Sequence, residues 1–136
     1  MHPCTIRFGQ DTISYKFRDG RTLYELFESL MCHELAAFEL PPLLIQYMDG
    51  EPYCVDGNRR LFVLQKLGQY GMVDYVRVRV HDGPPKPITA KVDAPIRIRG
   101  QPELEQEMNE WFTALHEIVF TDIPHKNYRF GFCEDN

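Results

Sequence analysis

Two Asp-Gly dipeptides, Asp49-Gly50 and Asp56-Gly57, divide the middle of this chain into pieces with different apolar patterning. Asp-Gly between apolar runs is a strong signal for a two-residue hairpin turn. Leu43 to Met48 is an apolar run of strand length, and Glu51 to Val55 is its returning partner. Pro52 stands at the start of that partner, where a missing N–H does least damage. Beyond the second dipeptide, Leu61, Leu64 and Leu67 recur at helical steps. A helix is predicted from Asn58 to Leu67, with Gly68 as the residue that stops it. Strand, tight turn, strand, Asp-Gly and helix in that order predict an α+β fold.

The flanking segments add elements of both kinds. Ile6-Arg7-Phe8 reads as a short strand. Thr22 followed by Glu25 is a capping box, and Leu23, Leu26, Phe27 and Leu30 share a helical face, predicting a helix from Thr22 to His33. Pro41-Pro42 ends any helix before the hairpin. Tyr75 to Val80 alternates, with Val76, Val78 and Val80 on one face, as a half-buried strand does. The rigid stretch from His81 to Pro87 then marks a boundary between a core and a C-terminal extension. Pro95 to Arg99 alternates again. Leu104, Met108, Trp111, Leu115 and Val119 predict one long helix, with Trp111 and Met108 in the core. The reading is one domain over 1–136, with a core at 6–82 and an extension at 83–136.

Composition supports a packed core: apolar residues are 43% and charged residues 26% of the 136. No apolar run is long enough to span a bilayer, and Met1 to Thr5 shows no secretory pattern, so the expectation is a soluble cytoplasmic or nuclear protein with no membrane partner. The cysteines, Cys4, Cys32, Cys54 and Cys133, have no zinc-site spacing and read as reduced thiols. The scattered histidines indicate no metal site. A net charge of −5 counts against a general nucleic-acid binder.

The Tyr53 to Arg60 segment carries the chemistry. A helix N-terminus presents backbone N–H groups without intrahelical partners and a partial positive charge, so anions bind there. Gly57 has no Cβ and admits a ligand close to the backbone. Arg59 and Arg60 add guanidinium forks that match phosphate oxygens in pairs. Asp56 is placed to cap the helix, orient an arginine or hold a metal. The competing reading is an ordinary turn, with Asp56 or Asn58 as a helix cap and both arginines on a solvated face. The residues alone leave both open.

The stretch from Ile6 to Val80 resembles the ParB/sulfiredoxin superfamily. The shared layout runs from a strand and a Gln-bearing loop (Gln10) through Phe17 to the helix at Leu23 to Leu30. A proline-led strand (Pro42 to Ile45), its partner (Tyr53 to Val55), the Gly57-Asn58-Arg59-Arg60 turn, a helix ending at Leu67-Gly68 and the Val-rich strand at 76–80 follow. The resemblance implies a small mixed sheet flanked by helices. It also implies nucleotide-phosphate contact at Gly57, Asn58, Arg59 and Arg60, with Gln10 and Asp11 in a loop near the same pocket. ATP or CTP with Mg²⁺ is the implied ligand, and Asp56 and Asp11 are the acids offered as metal ligand or base. Two departures limit it. Asn58 occupies the position of the sulfiredoxin catalytic cysteine, which disfavours sulfinic-acid reduction. The segment after Val80 lacks the Glu-Asn-x-x-Arg of ParB clamps, which disfavours a DNA-sliding clamp.

Three functions follow as expectations. The first is nucleotide binding, with phosphoryl transfer or hydrolysis as its catalytic form. The second is a non-catalytic domain that keeps the fold and binds a protein partner. The third is a ParB-like nucleic-acid binder or nuclease.

Overall fold

The computed structural model describes residues 1–90 and 95–122, with side chains through 114 in the last helix. Strands β1 (Arg7–Phe8) and β2 (Thr12–Ser14) precede helix α1 (Leu23–Met31). A hairpin of β3 (Leu43–Met48) and β4 (Glu51–Asp56) leads into helix α2 (Asn58–Gln69). Strands β5 (Val78–Val80) and β6 (Arg97–Arg99) and helix α3 (Leu104–Asp122) follow. The main sheet is four-stranded and mixed, in the order β1-β4-β3-β5, and β2 pairs with β6 in a separate two-stranded sheet. The expected α+β class is present. No helix among the described residues is long and apolar enough to cross a membrane.

Local chemistry explains the elements that the sequence predicts. The Thr22 hydroxyl accepts from the Glu25 N–H, and the Glu25 carboxylate accepts from the Thr22 N–H, closing the capping box of α1. Its apolar face, Leu23, Leu26, Phe27 and Leu30, is buried. The hairpin turn holds Asp49 at φ 52° and Gly50 at φ 81°, the positive values that a two-residue turn needs to follow strand twist. Pro52 lies just outside the β1 pairing, which begins at Tyr53. Toward its end β4 bulges: Ile45 faces Cys54 and Leu44 faces Asp56, leaving Val55 unopposed. A bulge bends its strand and re-aims the side chains that follow.

Helix α2 is buried around most of its circumference, through Leu61, Phe62, Val63, Leu64 and Leu67, and packs against α1 and the strands. Its end differs from the expectation. The helix runs through Gly68, and the stop is Gly71, at φ 78°. The Met72 N–H donates to the Leu67 carbonyl and the Gly71 N–H to the Gly68 carbonyl, the paired bonds of a Schellman cap. Gly68 serves packing instead: a Cβ there would meet Cγ of Pro3 at 3.0 Å.

Strand β5 is shorter than the alternation at 75–80 predicts. The Val76 N–H donates to the Met1 carbonyl, and sheet pairing starts only at Val78. Val76 is buried, while Val80 at the sheet edge is 54% exposed and Tyr75 is 78% exposed. The segment after Pro87 returns to the core. Thr89 donates to the Gly9 carbonyl, β6 lies parallel to β2, and Ile98, Leu104 and Met108 join the same buried cluster. Trp111 packs edge-on against Phe27 and Tyr24. Lys66, buried on α2, pairs with Glu105 on α3. The aromatic tail at 125–132, Cys133 and the side chains of Leu115 and Val119 lie outside the described residues.

Candidate functional site

The bulged end of β4 delivers the chain to Gly57 at φ 106°, in the left-handed region. An added Cβ there would lie 2.8 Å from Leu43 Cδ2 and 2.8 Å from Arg60 Nη2, so this position is glycine on two counts. The first turn of α2 has no side-chain cap and no acidic residue, so its N–H groups stay available to an anion.

The side chain of Asn58 is committed to the backbone. The residue is 5% exposed. Its Oδ1 accepts from the Gly9 N–H at 3.0 Å, and its Nδ2 donates to the Cys54 carbonyl at 3.1 Å. Both ends of the amide are spent on the backbone. What Asn58 offers a ligand is its main-chain N–H. Gly9 permits this bracket, since a Cβ on Gly9 would come within 2.1 Å of the Cys54 oxygen.

The two adjacent arginines diverge but do not hang in solvent. Arg59 donates from Nη1 to the Lys16 carbonyl at 2.7 Å, and its guanidinium carbon lies 5.5 Å from the centroid of the Phe17 ring. Arg60 folds back over Gly57 and donates to the carbonyls of Pro41 and Pro42. Between them opens a cleft of about 320 Å³. Gly57, Asn58, Arg59, Arg60, Gln10 and Asp56 all line it, as do Ser14, Arg18 and Arg99. Asp11 does not; its carbonyl instead accepts from the Arg97 N–H. A second, more apolar cleft of about 410 Å³ shares Phe17, Arg18, Arg59 and Arg60 with the first and adds Leu26, Leu35, Leu40 and Pro41.

Four arginines and one aspartate are therefore among the residues that line the polar cleft. Among the described residues, none of the four forms an ion pair; the pairs found are Arg7–Glu51, Arg21–Asp19 and Lys66–Glu105. Arg18 and Arg99 escape a reading from sequence spacing. Arg18 lies within the turn closed by the Gly20 N–H on the Phe17 carbonyl, and Arg99 is brought in only by the pairing of β6 with β2.

Cys54, the cysteine nearest the turn, is unsuited to attack. It is fully buried, its Sγ donates to the Asp56 carbonyl, and burial pushes its thiol up to about 12. Thiolate is the reactive form, and almost none exists at neutral pH. No set of three His, Cys, Asp or Glu side chains among the described residues is placed to hold a metal ion.

Compared with known proteins, the chain matches no family model, and no curated protein is significantly similar to it.

Two predictions follow from this geometry. Asn58→Ala leaves a buried N–H and a buried carbonyl without partners, at about 1–3 kcal/mol each, so urea unfolding should show a loss of about 2–6 kcal/mol. Asn58→Asp keeps the acceptor, loses the donor and buries a charge, and should also destabilise. The second prediction concerns pH. Burial raises Cys54 from 9.0 to about 12 and Tyr70 from 10.0 to about 12. The folded chain thus keeps these protons to higher pH than the unfolded chain. Their stabilising contribution is complete below pH 9.0 and is lost as pH rises toward about 12. Unfolding free energy should fall between about pH 9 and pH 12, and the slope should be shallower in Cys54→Ala.

Proposed function

We propose that this chain is a ParB/sulfiredoxin-like domain that binds a nucleotide through its phosphates at the Gly57 turn. One observation carries the reading: four arginines, none paired with a carboxylate among the described residues, line one cleft in a chain of net charge −5. Like charges gathered without counter-charge repel one another, and an anion between them relieves that repulsion. Guanidinium forks and helix N–H groups both suit phosphate oxygens.

The neighbouring apolar cleft extends the reading from phosphate to nucleotide. Arg59 and Arg60 stand in the wall common to both clefts. A ligand with its phosphates on the polar side would reach Phe17, Leu26, Leu35 and Leu40 with its ring system. Apolar walls with a few convergent polar groups are usual for such sites.

Mg²⁺ is usually held by one or two carboxylates together with substrate phosphates. Asp56, the carboxylate of the cleft, fits that need as a single ligand. Bound there, Mg²⁺ would neutralise phosphate charge during transfer or hydrolysis. Asp56 is also the acid available as a base, whereas Asp11 stands outside the cleft lining. ATP and CTP are the nucleotides to test first.

Thermal unfolding with ATP, CTP, GTP or ADP, each with Mg²⁺, tests the proposal. At least one should raise the melting temperature in a concentration-dependent way. Arg59→Ala should weaken that nucleotide about tenfold or more, the loss of a charge-assisted contact, without changing the unliganded fold. If no nucleotide shifts melting, the proposal fails and a protein-interaction role takes its place. Salt-dependent binding to DNA in place of nucleotide would favour the nucleic-acid reading.

A further inference from the structure

Strand β6 lies beyond the stretch that resembles a known superfamily, yet it contributes to the same cleft. Thr12, Ile13 and Ser14 of β2 pair in register with Arg97, Ile98 and Arg99 of β6. Ile13 and Ile98 are buried, which anchors both strands in the core. Ser14 and Arg99, facing each other one position further on, both line the cleft. The backbone at Arg99 is held firmly: its carbonyl accepts from the Tyr15 N–H at 3.1 Å. The next residue, Gly100, has φ 90° and packs so closely on Tyr15 that a Cβ would meet the ring at 2.4 Å.

The side chain of Arg99 is less committed than its backbone. Arg59 and Arg60 already donate to backbone carbonyls. The Arg99 guanidinium has no hydrogen bond, ion pair or ring contact among the described residues, and neither does that of Arg18. Among the described residues nothing claims its five donors, which a ligand can take. Charge sets how much ligand is needed. A single phosphate monoester brings about −1.5 to −2. Against four guanidiniums and one carboxylate, one such group leaves the cleft cationic, and a second phosphate balances it.

We propose that Arg99, supported by Ser14, is a specificity-determining residue that binds a phosphate beyond the one seated on the Gly57 turn. The segment after Pro87 is then part of the binding site, and the preferred ligand carries two or more linked phosphates. This inference rests on phosphate binding at Gly57, and its failure is separable from the failure of that reading.

Calorimetric titration of the full chain with adenosine and cytidine mono-, di- and triphosphates, with Mg²⁺, tests it. The unmodified chain should bind a di- or triphosphate at least tenfold more tightly than the matching monophosphate. Arg99→Ala should weaken di- and triphosphate binding several-fold more than monophosphate binding, and so erase most of that preference. Arg97→Ala removes the same charge two positions away on the same strand, outside the cleft, and should keep the preference. Ser14→Asp, which sets a carboxylate opposite Arg99, should erase the preference as Arg99→Ala does and keeps the test independent of how well that variant folds. A chain with Arg99→Ala or Ser14→Asp that retains the full preference overturns the role of Arg99 while phosphate binding at Gly57 stands. Failure of the unmodified chain to bind any of these nucleotides overturns both readings.

Discussion

The amide side chain of Asn58 joins three pieces of chain that are distant in sequence. It accepts from Gly9 in the loop after β1, donates to Cys54 on β4, and belongs to the first turn of α2. In a buried setting such a bracket has no water to replace it, so it is formed or two backbone groups go unsatisfied. Its consequence is positional. With Gly9 and Cys54 held at the base of α2, the Gln10 loop, the bulge at Val55 and the left-handed Gly57 meet around one opening. The Gly57 N-cap needs no side chain of its own, which leaves the N–H groups of the first turn unclaimed.

Around that opening the chain concentrates one sign of charge against its own average. Arg59 and Arg60 are held by different backbone carbonyls, Arg59 by Lys16 and Arg60 by Pro41 and Pro42. Carbonyl oxygens hold a guanidinium in place without neutralising it. That differs from the exposed Arg7–Glu51 and Arg21–Asp19 pairs, where charge is cancelled locally and little stability is gained. An arginine positioned by neutral acceptors keeps its full charge for a ligand and has already lost much of its side-chain freedom. Binding to it costs correspondingly less entropy.

What could be read from the sequence follows the range of the interaction responsible. The capping box of α1, the Asp49-Gly50 hairpin and the start of α2 at Asn58 depend on residues a few positions apart, and each is visible as a motif. Gly57, Arg59 and Arg60 are legible for the same reason. The end of α2 is not: Gly68 has the look of a stop, but Pro3 packs on it, and Gly71 makes the cap. The full alternation at 75–80 likewise gives way to a bond between Val76 and Met1. Arg99 and Ser14 enter the site through a parallel pairing that spans most of the chain, and no local pattern announces such a pairing. Asn58 reads as a ligand contact by position in the motif, while its buried partners turn its side chain to structural use.

The central claim is that the unclaimed amides beside Gly57 and the surrounding guanidiniums form one receptor for phosphate oxygens. Amide chemical shifts recorded by NMR while inorganic tripolyphosphate is added test this without any assumption about the base. The account predicts the largest changes at Gly57, Asn58, Arg59 and Arg60, with smaller ones at Gln10, Ser14, Arg18 and Arg99. Unmoved amides at 57–60, with shifts confined to arginines elsewhere such as Arg7, Arg21 and Arg77, would contradict it.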